Sequence, residues 1–242
     1  MTYDLSPVLL SVRVALISTV LNMIMGTILA WVTENKRFPG KNLLETVIGL
    51  PLVLPPTVIG FGLLLLFGKH GPLGYFLAEF LHIRVVFTWW AAVIAAAVVS
   101  LPLMYKSAKT GFASVDKNLE QAARTLGSSE TRVFFTVTLP LAAPGVIAGL
   151  LLSFTRALGE FGATLMLAGN IPGQTQTIPL AIYFASEAGD TQTAVFLVII
   201  ISFISFLITY GLNSWVDGRS SILARKKGAE AYAGSGCKKS FT

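Results

Sequence analysis

Of the chain's 242 residues, 54% are hydrophobic and only 12% charged, with a mean hydropathy of +0.72. Soluble domains carry about 25% charged residues, so an ordinary soluble fold is excluded and a bilayer becomes the natural solvent for this much apolar surface. The net charge of +6 would suggest nucleic acid in a soluble chain, but in a membrane chain it is read by position, and no nucleic-acid partner is expected.

A spanning helix needs about 20 mostly apolar residues. Five segments meet that length: Val8–Val32, Leu44–Phe67, Val85–Met104, Leu141–Ala168 and Thr193–Trp215. The expected fold is an all-α, polytopic transmembrane helical bundle of about five spans. The first segment lacks the charged start and small-residue cleavage site of a signal peptide and is read as a retained span. Residues 1–217 form one membrane domain, and 218–242 a basic, disordered cytoplasmic tail.

The second segment is the least regular. Pro51, Pro55 and Pro56 each remove a backbone donor, which a membrane tolerates only where protein or a wet cavity satisfies the freed carbonyls. These prolines are candidates either for a pathway or for a packed kink.

The basic residues are distributed unevenly. Lys36, Arg37 and Lys41 lie in the first connection, and Lys106, Lys109, Lys117, Arg124 and Arg132 in the third. Arg219, Arg225, Lys226, Lys227, Lys238 and Lys239 lie in the tail. The second connection has only Lys69 and Arg84, and the fourth has none. The bias places the N-terminus outside and the C-terminus, with the first and third connections, in the cytoplasm. Trp31 and Trp215 fall at inner ends and Trp89 and Trp90 near an outer end, where indole rings favour the interface. Arg13, near the outer end of the first span, is expected to snorkel.

The third connection, residues 105–140, is long and patterned. Asp116 can cap a helix whose apolar face carries Leu119, Ala122, Ala123 and Leu126. Gly127 suits a helix stop. Ser128 or Ser129 can cap a second helix, with Val133, Phe134 and Val137 on its apolar side. Those faces need a partner, either another protein or this chain's own helix ends.

Arg156 and Glu160 are the only opposite charges inside one expected span, four residues apart and so on one helical face. They could help pass an anion or simply fix packing. Packing is favoured, because a pair neutralises its own field.

Enzyme chemistry finds little support. One cysteine and two histidines give little for a metal or nucleophile site, and no phosphate loop occurs, since Gly62 to Gly68 leads into Lys69-His70. A secondary transporter or channel remains a rival class; many secondary transporters show paired repeats, which this chain lacks.

Gln121-Ala122-Ala123, Gly127, Val137 and Leu139-Pro140 resemble the cytoplasmic signature of ABC importer permeases, with Gln121 in the usual glutamate position and Glu120 just before it. Pro51 through Gly60 and Arg156 through Pro179 resemble molybdate permeases; sulfate and thiosulfate permeases are similar. The resemblance implies an ATPase-coupling role for Glu120, Gln121, Ala122, Ala123, Arg124, Gly127, Leu139 and Pro140. It implies a homodimer in the inner membrane of a prokaryote, two cytoplasmic ATPase subunits and an external oxyanion-binding protein. It further implies no cofactor on this chain, with ATP and magnesium on the partner ATPases.

Overall fold

The computed structural model describes residues 4–36, 38–211 and 214; the basic tail, Trp215 and Cys237 lie outside the described residues. The chain divides into a unit of residues 1–199 and a second starting at Ile200. All regular structure among the described residues is helical. Among the described residues, four helices are long and apolar enough to cross a membrane, and a bent pair gives a fifth if it counts as one span.

Helix α1 (Ser6–Asn35) covers the first expected span. Next, α2 (Lys41–Gly49) runs into a short tight turn at Leu50–Leu52, and α3 (Pro56–Phe67) leaves at 116° to it. The expected irregular span Leu44–Phe67 is thus a bent pair of helices, broken at its prolines. The prolines explain the bend: Pro51 lies in the tight turn, Pro55 precedes α3, and Pro56 opens it, where a missing N–H removes no helical bond. Two carbonyls at the bend are satisfied locally. Leu50 accepts from Val53 and Leu54, and Pro55 accepts from Val58 and Ile59.

A short helix that the sequence reading missed, α4 (Pro72–Leu81), follows a tight reversal. Helix α5 (Trp89–Ala113) starts and ends later than the expected Val85–Met104. Its C-terminal end absorbs the first part of the long connection, because Tyr105 and Phe112 are buried there rather than free in a loop. Two short helices follow, α6 (Lys117–Thr125) and α7 (Glu130–Val133). A π-helical turn at Phe134–Thr138 joins α7 to α8 (Leu139–Leu158).

The fourth expected span is also corrected: the helix stops at Leu158, and Gly159 to Phe161 separate it from α9 (Gly162–Ala168). Two glycines flanking Glu160-Phe161 weaken helix propagation there. Then come α10 (Ile178–Glu187) and α11 (Thr191–Gly211).

Helices α1, α5 and α8 pack together through small residues, as membrane helices do when little distinguishes side chain from lipid. Ala91, Ala92, Ala95 and Ala96 are fully buried. A polar knot ties all three helices. Asn22 of α1 donates to the Ala97 carbonyl and to Ser100 Oγ of α5 at 3.0 and 2.8 Å, and lies 3.1 Å from Ser153 Oγ of α8. Nearer the C-terminal end of α1, Thr33 and Tyr105 share a hydroxyl contact of 2.9 Å. Helix α3 packs on α9, and a Cβ on Gly60 would stand 2.7 Å from the Ala163 Cα, so only glycine allows that approach.

Candidate functional site

The corner between α5 and α8 is built around α6. Asp116 accepts from the Asn118 N–H at 2.9 Å and opens the helix, as its sequence position suggested. Gly127 closes it with φ +83, in the left-handed region. The Gly127 N–H reaches the Arg124 carbonyl at 2.9 Å and the Ser128 N–H the Ala123 carbonyl at 3.1 Å. This paired arrangement satisfies carbonyls that the helix end leaves open. Ser129, of the two serines considered, caps α7 by accepting from Arg132 at 3.4 Å.

The buried residue of α6 is Glu120. Its Oε1 accepts from the Thr138 hydroxyl at 2.6 Å, which fastens the helix to the π-helical turn before Leu139 and Pro140. Arg124 lies 3.6 Å from the other Glu120 oxygen and grips Glu130 with two contacts of 2.7 and 3.1 Å. The hydrogen bond to Glu130, helped by attraction from both carboxylates, holds the guanidinium more firmly protonated than usual. One side chain thus braces α6 against α7 across the glycine stop.

The apolar residues of α6 face away from this anchorage. Leu119 is 50% and Leu126 86% exposed, Gln121 and Ala122 are exposed, and Ala123 is half-buried. Self-packing applies to the following segment instead. Val133 is buried, and the Phe134 ring meets Trp31 edge-on at 5.2 Å and Phe112 at 6.3 Å. A cleft of about 510 Å³ opens beside the corner, lined by Lys36 of the chain just after α1 and by Lys117, Gln121 and Glu130. The glutamate absent from position 121 stands one residue earlier, as buried Glu120. The four-residue spacing of Glu120 and Arg124 was the sequence signal for it; the Thr138 contact left none.

Arg156 and Glu160 do meet, with Nη1 2.7 Å from Oε2. Glu160 is not on the α8 face, however, because the helix ends before it. Its carboxylate is almost fully buried in the break, where Oε1 accepts from the Ala163 N–H at 2.8 Å. Glu160 therefore pairs with the end of α8 and caps the start of α9. The Arg156 contact is an ion pair without a well-directed hydrogen bond. Downstream, buried Thr175 accepts from the Ile171 N–H at 3.0 Å, and the Ile178 N–H donates to Ser11 of α1 at 2.7 Å. The stretch Gly169–Pro179 is thereby pinned to the first helix. Pro56 and Thr57 lie against Gly162, so the proline bend, the break and α9 form one packed region. Arg13 reaches an exposed position and lies over the Trp89 ring, 4.1 Å from its centroid.

Residues 22–222 match the family described as "Binding-protein-dependent transport system inner membrane component". The chain belongs to this family. It is 51% identical over 85% of its length to the putative molybdenum transport system permease protein YvgM of Bacillus subtilis strain 168, covering 90% of that protein. It is 44% identical over 86% of its length to the molybdenum transport system permease protein ModB of Escherichia coli K12, covering 91% of it. The sulfate transport system permease protein CysT of Salmonella typhimurium is 36% identical over 83% of this chain and 72% of its own. A chain of the MetNI methionine ABC transporter, solved in inward-facing conformations, superposes with a TM-score of 0.66 at 14% identity. That superposition covers 88% of this chain and 94% of the other, and it supports the permease fold alone. As a family member the chain is a multi-pass inner-membrane transport subunit rather than an enzyme, and it works with a binding protein and an ATPase.

Proposed function

We propose that this chain is the permease subunit of an ATP-driven importer for a tetrahedral oxyanion, with molybdate as substrate and tungstate accepted beside it. The observation that carries the substrate is its 44–51% identity to molybdenum permeases along more than four-fifths of the chain. Sulfate is the second reading, favoured only by relatives at 36% identity. Two copies form the pathway, two ATPase subunits dock from the cytoplasm, and an external protein delivers the anion. The N-terminus lies outside and the C-terminus inside, in keeping with the basic residues of the first and third connections.

Coupling runs through α6. Its exposed Leu119, Ala122 and Leu126 offer an apolar face to the ATPase, while Glu120 and Arg124 tie its other side to Thr138 and Glu130. A push on that face passes through the π-helical turn to Leu139, Pro140 and α8, giving alternating access by movement of attached spans. In the packed region, Arg156, Glu160 and the prolines serve as positioning groups. The deciding experiment is ATP hydrolysis by the reconstituted transporter with its binding protein, loaded in turn with molybdate, tungstate or sulfate. Stimulation by the first two supports the reading; stimulation by sulfate alone assigns the chain to the sulfate permeases.

A further inference from the structure

Lys69 and Arg84 are the two basic residues of the second connection, exceptions to a bias that gathers most other cations elsewhere. The structure brings both to one cleft of about 420 Å³. Its walls are the end of α3 at Leu64 and Phe67, the inner side of α4 at Ala78, and the returning segment at Ile83 and Val86. Among the described residues, neither cation has an ion-pair partner, and Glu79 of α4 is not part of the lining.

The outer side of α4 indicates the cleft's surroundings. Leu73, Phe76, Phe80 and Leu81 are all 45–68% exposed, and the Phe76 and Phe80 rings meet at 4.8 Å, tilted by 31°. Water is a poor solvent for such a surface on a ten-residue helix with one charge, whereas the acyl boundary of a bilayer suits it. Lys and Arg at that depth reach for head groups. An apolar slot with two cations and no paired carboxylate has the form of an amphiphile with one anionic group.

We infer that this cleft holds one anionic glycerophospholipid, its phosphodiester between Lys69 and Arg84 and one acyl chain along Leu64, Phe67 and Val86. A free phosphate shares the head-group chemistry but leaves the apolar walls unfilled. A zwitterionic lipid brings its own cation to a site already holding two.

The test is native mass spectrometry of the detergent-purified transporter, permease with its ATPase, titrated with dioleoyl phosphatidylglycerol or dioleoyl phosphatidylcholine. The expected result is retention of phosphatidylglycerol over phosphatidylcholine, undiminished by millimolar inorganic phosphate. Lys69→Gln with Arg84→Gln should weaken that retention about thirtyfold, from two basic residues acting on one anionic lipid. Ala78→Trp, which fills the slot and keeps both cations, should also abolish it. Unchanged thermal unfolding of each variant marks them as folded. Equal retention of both lipids, or no change in the double variant, overturns the inference. So does competition by phosphate, which indicates a free-anion site, or retention in Ala78→Trp, which removes the acyl slot. A second permease copy masking Lys69 and Arg84 from chemical labelling in lipid-free preparations overturns it as well.

Discussion

At Glu160 a single carboxylate serves two helices, and the consequences of changing it separate cleanly. Glu160→Gln keeps an oxygen for the Ala163 N–H but removes the charge facing Arg156. Arg156 is 30% exposed, which tempers the loss to about 1–3 kcal/mol. Glu160→Ala loses the cap too, adding about 1 kcal/mol. Thermal unfolding of the purified transporter should rank wild type above Gln and Gln above Ala. Arg156→Met with Glu160→Gln should recover much of the loss, because the cap survives while the stranded charge is gone. A folded single variant with selective loss of transport would instead place the pair in the pathway. At the end of α6, Gly127→Ala meets no atom within 4 Å, so its penalty is conformational, about 1–2 kcal/mol. Asparagine tolerates the left-handed region better. Coupled uptake should therefore fall more in Gly127→Ala than in Gly127→Asn, with membrane insertion equal in both.

Helix α6 is the element on which the proposed coupling turns. Leu126 is too exposed to contribute much to the fold, so Leu126→Asp should shift stability by no more than about 0.5 kcal/mol. Yet the ATPase retained by the purified permease should drop sharply, since the change places a charge on the docking face. Ala123→Trp should have the same effect by bulk. Full retention and normal uptake in both variants would reject this face as the docking surface. The helix itself was legible in the sequence: Asp116 and Gly127 gave its ends and the apolar spacing gave its face. Its orientation was not legible. Amphipathic spacing shows that a face wants burial but not against what, and here a glutamate is buried while two leucines are exposed. Elsewhere, apolar content concealed the breaks. A hydropathy window cannot distinguish one span from α8 followed by α9, because Gly159, Glu160 and Phe161 are too few to lower the average. The prolines of the second span announced irregularity, though not an angle of 116°. Helix α4 was hidden inside a connection too short to suggest a span.

For the molecule as a whole, sidedness is the testable quantity. A cysteine at exposed Gln174, in a chain with Cys237 replaced, should react with an impermeant reagent applied outside intact cells. A cysteine at Lys117 should react only after permeabilisation. The reverse pattern would invert the orientation and place α6 beyond reach of a cytoplasmic ATPase.

The knot at Asn22 has a consequence for how the protein is made. Its partners lie far along the chain, Ser100 at a separation of 78 residues and Ser153 at 131. The ribosome therefore delivers α1 to the bilayer long before the last serine exists. During that interval an amide sits in hydrocarbon with an incomplete set of partners, which the strongly apolar remainder of α1 must outweigh. Arrival of α5 supplies acceptors for both amide hydrogens, and α8 later sets a third oxygen beside them. Maturation thus has an order written into it: the amide of α1 waits for α5, and a nascent subunit halted before that helix should be degraded more readily than one halted after it.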